Sequence, residues 1–151
     1  MKNNLIVPPA TIGIIGGGQL GRMMAEAAKP MGYNVIILDP QPNSPAGQVS
    51  DDQIIAEYDD VIALTKLAKR CDVLTYEFEN VDTDALKQVS DLVSVPQGTN
   101  LLKVTSDRLL EKEFIQRAGL PVTNFANVES IDDLPAAAAK IGYPAILKTR
   151  S

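Results

Sequence analysis

Thr11-Ile12-Gly13-Ile14-Ile15-Gly16-Gly17-Gly18-Gln19-Leu20-Gly21 is the stretch on which the reading of the fold turns. Its first five residues form a nearly continuous apolar run that stops at three glycines, the pattern of a strand buried on both faces in a parallel sheet. From Gln19 to Met31 the period changes. Leu20, Met23, Met24 and Ala27 recur at spacings of three and four, which places them on one face of a helix that Gly32 ends. Asn34-Val35-Ile36-Ile37-Leu38-Asp39 is a second buried strand, closed by Pro40 and a turn-rich stretch through Gly47. The opening segment is therefore one β-α-β unit.

The alternation continues downstream. Gln53 to Ala56 reads as a short strand, Val61 to Arg70 as an amphipathic helix, and Asp72 to Tyr76 as a strand ending in Glu77-Phe78-Glu79. Asp82 or Thr83 can cap a helix running to about Asp91, and Leu92 to Val95 is a fifth strand. Such alternation predicts an α/β fold, a Rossmann-like parallel sheet with helices on both sides. The character changes near Asn100. Asp107 to Ala118 is a charged amphipathic helix with Leu109, Leu110, Phe114 and Ile115 apolar, and Ile131 to Ile141 is another, stopped by Gly142. Pro144 to Thr149 reads as a strand with no sheet to join, so the expectation is one domain over 1–104 and the incomplete start of a second over 105–151, in a fragment of a longer polypeptide.

Composition narrows the chemistry. The 151 residues are 45% hydrophobic and 22% charged, enough to bury a core. Histidine is absent, which removes imidazole-based triads and zinc sites from this chain's own repertoire. A single cysteine, Cys71, precludes an internal disulfide and suits a cytoplasmic setting. The net charge of −5 argues against nucleic acid as a partner. No apolar run approaches the length of a signal peptide or membrane span.

Gly16, Gly18 and Gly21 fit G-x-G-x-x-G between a strand and a helix, with Asp39 closing the next strand. Glycines there let the backbone turn tightly and expose the amides of a helix N-terminus to an anion. Spacing alone leaves three readings open: a nicotinamide dinucleotide site with Asp39 on a ribose, a tight turn that binds nothing, or another ligand on the same fold. Glu77 and Glu79 alternate with Phe78 and so point the same way beside that turn. Two carboxylates close to a pyrophosphate would cost several kcal/mol at an effective dielectric of about 20, which favours a neutral or amine-bearing ligand with hydroxyls.

Three blocks together carry a resemblance. Gly16-Gly17-Gly18-Gln19-Leu20-Gly21-Arg22-Met23, Leu38-Asp39-Pro40 and Thr75-Tyr76-Glu77-Phe78-Glu79-Asn80-Val81 resemble the N-terminal part of the 5-(carboxyamino)imidazole ribonucleotide synthases of the ATP-grasp superfamily. Asp107-Arg108-Leu109 with Lys112, Ala118 to Val122, and Ile141 to Arg150 resemble the opening of the ATP-grasp domain in the same order. The resemblance implies a pre-ATP-grasp domain followed by the truncated start of an ATP-grasp domain. It implies a ligase of purine biosynthesis that uses ATP and magnesium to carboxylate the amine of aminoimidazole ribonucleotide with bicarbonate, through carboxyphosphate and without a protein nucleophile. Related alternatives are the formate-dependent glycinamide ribonucleotide formyltransferase of the same superfamily and a non-catalytic folded module.

Carried over by position, the resemblance implies that Arg108 and Lys148 bind ATP, and that Gly18, Gln19, Leu20 and Glu77 line the ribonucleotide site. Gln19 would act through its amide or backbone, and Glu77 by accepting from ribose hydroxyls or the amine. Asp39 then becomes a sheet-edge or loop-capping acid and Cys71 a structural thiol. The resemblance also implies a cytoplasmic homodimer when complete. The phosphate-covering loop and the acidic magnesium ligands would follow Arg150, so the chain by itself is expected to be inactive.

Overall fold

The computed structural model describes residues 5–78 and 81–150. The chain divides into two compact units, Met1–Leu102 and Lys103–Ser151. The first holds a four-stranded sheet in the order β3-β2-β1-β4, every neighbouring pair parallel. Its strands are β1 (Thr11–Ile15), β2 (Asn34–Leu38), β3 (Asp52–Ile54) and β4 (Val73–Tyr76). Chain order reverses between β1 and β4, so the carboxyl ends of those two strands flank the switch point where open α/β sheets bind ligands.

Each face of the sheet has its own core. On one side Ile14, Val35 and Ile37 pack with Ala25 and Ala28 of α1 (Gln19–Ala28) and with Ala46. On the other, Ile15, Ile36, Leu38 and Leu74 pack with Leu64 and Leu67 of α2 (Val61–Ala68) and Leu86 of α3 (Thr83–Val89). Each fully buried leucine or isoleucine contributes about 1.5–3 kcal/mol relative to exposure. Asp60 caps α2 through the Ile62 and Ala63 amides, and Asp82 caps α3 through Ala85. Among the described residues, no helix is long and apolar enough to cross a membrane.

Several expectations change. The face of α1 that packs is Gly21, Ala25 and Ala28, whereas Leu20 and Met23 are 58% and 63% exposed. Small residues bring the helix close to the sheet; Leu20 and Met23 are left on its open side, and Met24 is half-buried against the core. β3 runs over Asp52–Ile54 rather than 53–56. The fifth strand at 92–95 reduces to one parallel bridge, Val73 to Ser94. The Leu92 amide is already spent on the Val89 carbonyl in a turn, and Pro96 has no amide to offer a ladder.

The second unit carries α5 (Arg108–Arg117), capped by Asp107, and α6 (Leu134–Ile141), entered through a 3-10 turn at Ile131–Asp133. Between α3 and α5 lies α4 (Asn100–Thr105), a short helix with no counterpart in the sequence reading. The expected strand at 144–149 is irregular, because a strand needs a neighbour for its amides and carbonyls and none of the described residues provides one. Next to it, the Arg150 carbonyl accepts the Arg108 amide at 2.8 Å.

Candidate functional site

The turn after β1 is held from two sides by carboxylates. Gly16, at φ +107°, takes a conformation suited to glycine, and a Cβ there would stand 2.3 Å from Glu77 Cγ. The next amide, of Gly17, donates to Asp39 Oδ2 at 2.7 Å, and Gln41 donates its amide to Asp39 Oδ1 at 2.8 Å. On the other side Gly18 donates to Glu77 Oε1 at 2.9 Å, and the Gly21 amide donates to Glu77 Oε2. The cap residue of α1, Gly18, has no side chain of its own to satisfy these donors. Glu77, arriving on the end of β4, does so instead, and its charge complements the helix dipole.

This geometry answers the question left open by the glycine spacing. The amides that would cradle a pyrophosphate in a dinucleotide site already hold a protein carboxylate. Asp39, 5% exposed, is likewise committed: besides Gly17 and Gln41 it accepts the Tyr58 hydroxyl at 2.7 Å. Of the sheet-edge and loop-capping roles expected for Asp39, these bonds make it a loop-capping acid.

Beside Glu77 an open cavity of about 420 Å³ is lined by Leu20, Met23, Met24, Ala27, Tyr76 and Glu77. One wall is the exposed apolar side of α1, and the other is the end of β4. Tyr76 is fixed there by its hydroxyl on the Gly98 carbonyl at 3.1 Å and its amide on Gln97 Oε1 at 3.2 Å. Burial raises the Tyr76 hydroxyl above its ordinary range, so it stays protonated. The cavity thus offers apolar surface along one side and a carboxylate at its end. Each carboxylate oxygen keeps a lone pair after accepting a backbone amide, available to a ligand hydroxyl or amine.

Of the residues singled out from sequence, Leu20 and Glu77 line this cavity, Gly18 stands behind it with its amide on Glu77, and Gln19 opens α1 with its side chain exposed. Glu79, paired with Glu77 by alternation, lies outside the described residues, as does Asn80. In the second unit Arg108 is the first residue of α5, and both it and Lys148 are exposed. Asp107, beside Arg108, is bound by the Arg150 guanidinium, which holds its carboxyl below the ordinary range. Among the described residues no three potential ligands gather to hold a metal ion. Sequence reasoning missed Met23 and Met24 in the cavity lining and Tyr58 on the Asp39 carboxylate behind the turn. The methionines carried a signal, large apolar residues on a helix with a second, smaller apolar face; Tyr58 carried none.

Comparison with known proteins places this arrangement in context. The chain is 49% identical over 149 residues to the N5-carboxyaminoimidazole ribonucleotide synthase of Bacillus subtilis, covering 99% of this chain and 39% of that protein. It therefore spans about two-fifths of the length of the curated relatives it matches. Its structure is similar to that of N5-carboxyaminoimidazole synthetase from Staphylococcus aureus complexed with ADP, with a TM-score of 0.90 and 46% identity over 94% of this chain and 38% of the other. The enzyme from Aspergillus clavatus in complex with ADP and 5-aminoimidazole ribonucleotide aligns with a TM-score of 0.81 and 33% identity over 89% of this chain and 37% of that one. Residues 9–106, which contain the whole sheet, the glycine turn and the cavity, match the ribonucleotide synthetase preATP-grasp domain, and the chain belongs to that family.

Proposed function

We propose that the full-length protein carboxylates 5-aminoimidazole ribonucleotide with bicarbonate at the expense of ATP, giving N5-carboxyaminoimidazole ribonucleotide, ADP and phosphate. The observation that carries this reading is the Glu77 carboxylate on the Gly18 and Gly21 amides. It disfavours a pyrophosphate at the turn and presents an acceptor to a ligand bearing hydroxyls and an amine, the chemistry of a ribonucleotide amine. Likeness to enzymes named for that product supports the substrate.

In this reading Gly18, Gln19, Leu20 and Glu77 line the amine's site, the ring lying along the apolar side of α1. A bicarbonate oxygen attacks the terminal phosphorus of ATP and ADP departs. The amine nitrogen then takes the carboxyl carbon, directly or after carbon dioxide is released, phosphate leaves, and the nitrogen loses a proton. The chain's contribution is position and charge rather than a nucleophile. Arg108 offers a planar fork and Lys148 a mobile point charge to the nucleotide. Relatives solved with ADP support the nucleotide. Magnesium bound with the nucleotide would neutralise phosphate charge. A pre-ATP-grasp domain over 1–104, the ATP-grasp start over 105–151, a homodimer and a cytoplasmic location belong to the same proposal.

The test is ADP release by the full-length protein given ATP, bicarbonate and the ribonucleotide amine. Release that requires the amine is expected; none with the amine, or release only with formate and glycinamide ribonucleotide, overturns the proposal. Glu77→Ala is expected to lower kcat/KM for the amine by about 100-fold, the equivalent of one or two bonds to a charged group.

A further inference from the structure

Tyr58 precedes α2 and lies outside the cavity lining, yet it touches what holds both of the cavity's walls. Its hydroxyl donates to Asp39 Oδ2 at 2.7 Å, the same oxygen that accepts the Gly17 amide at 2.7 Å. Its ring meets Phe78 edge-on, with centroids 4.9 Å apart and planes at 72°, and Phe78 directly follows Glu77. A carboxylate as buried as Asp39 depends on its donors to replace lost water, so each of them constrains where it sits. Burial first, then the bond to Asp39, raises the Tyr58 hydroxyl well above its ordinary range, which keeps it a donor at any working pH.

We propose that Tyr58 is a positioning residue: through Asp39 it holds the Gly16–Gly18 turn, and through Phe78 it holds the strand end that bears Glu77, fixing the spacing between the two walls of the cavity. The inference rests on assigning that cavity to the ribonucleotide amine. Without the hydroxyl, Asp39 keeps only the two backbone donors and the turn gains freedom to move away from Glu77.

The experiment compares the full-length protein with Tyr58→Phe, which keeps the ring on Phe78, and Tyr58→Leu, which loses both contacts. Two readouts are taken well below the unfolding temperature: KM for the amine and for ATP, and amide hydrogen exchange at Gly17 and Gly18. Tyr58→Phe is expected to raise KM for the amine about tenfold while KM for ATP stays within about twofold. Exchange at Gly17 and Gly18 quickens by about the same factor, with β2 amides unaffected. Tyr58→Leu raises the amine's KM further. Unchanged exchange at Gly17 and Gly18 in Tyr58→Phe overturns the proposal, as does faster exchange with no rise in the amine's KM. So does a lowered unfolding temperature with both KM values intact, the signature of a merely structural residue. If the unaltered protein shows no amine-dependent ADP release, the functional assignment falls, while the exchange at Gly17 and Gly18 still decides whether Tyr58 holds the turn.

Discussion

Replacing Gly21 with alanine sets helix propensity against packing, and the two predict opposite signs. In an exposed helix the change stabilises by about 1 kcal/mol. Here the added Cβ would stand 2.5 Å from the Gly16 carbonyl oxygen and 2.8 Å from Glu77 Oε2. Heavy atoms settle about 3.5 Å or more apart, so the first turn of α1 must retreat by about 1 Å. The Gly16 oxygen belongs to the backbone of a turn pinned by Leu38 and Asp39, and has little room to yield. Overpacking of this kind costs about 1–3 kcal/mol. Retreat of α1 also stretches the Gly21 bond to Glu77, a charge-assisted contact of about 1.5–3 kcal/mol when lost entirely. After the propensity gain, the net is a destabilisation of about 2–4 kcal/mol. Equilibrium urea unfolding followed by far-ultraviolet circular dichroism measures it: with a slope of about 2 kcal/mol per molar, the midpoint should fall by about 1–2 M. An unchanged or higher midpoint would show that α1 can move without cost and would refute the two-sided clamp on the turn.

Two further outcomes are expected. Lys29 and the Val35 amide hold Asp51 below the ordinary carboxylate range, and Arg70 and the Gln53 amide do the same for Asp52. A depressed folded-state pKa stabilises above the unfolded value of 3.8 and is lost as pH falls through the folded value. With no histidine to titrate, the urea midpoint should therefore be flat from about pH 8 to about pH 5 and decline only near and below pH 4, a small effect because both pairs are exposed to water; a drop between pH 7 and 5 contradicts this. Burial pushes the Cys71 thiol up to about 12, against the opposing pull of Arg70. Alkylation by iodoacetamide at pH 8 should run about tenfold or more slower than for a model peptide and reach the peptide rate in urea; equal rates in the folded protein would contradict a structural thiol.

The sheet was legible because its strands are short apolar runs punctuated by glycine, proline and aspartate, and because α1 changes the period immediately after Gly18. Strand limits were less so: whether 92–95 pairs along its length depends on the Leu92 amide, which is taken by a turn that no local pattern announces. The packed side of α1 was not legible, because bulky apolar residues dominate the periodic signal while the contact with the sheet is made by Gly21, Ala25 and Ala28. At the site, Glu77 was found because alternation and strand order place it beside the glycine turn. That its oxygens would cap α1 follows only once β1 and β4 are neighbours in space, and Tyr58 is invisible for the same reason.

A helix normally finds its first hydrogen-bond acceptors within a residue or two of its start, so it can form as soon as it is synthesised. The acceptor at the start of α1 is 59 positions downstream of Gly18. A nascent polypeptide emerging from the ribosome therefore carries the opening turn long before the group that locks it. The crevice is complete only once β4 lies alongside β1, so its closure needs the strand that comes last in chain order within the sheet.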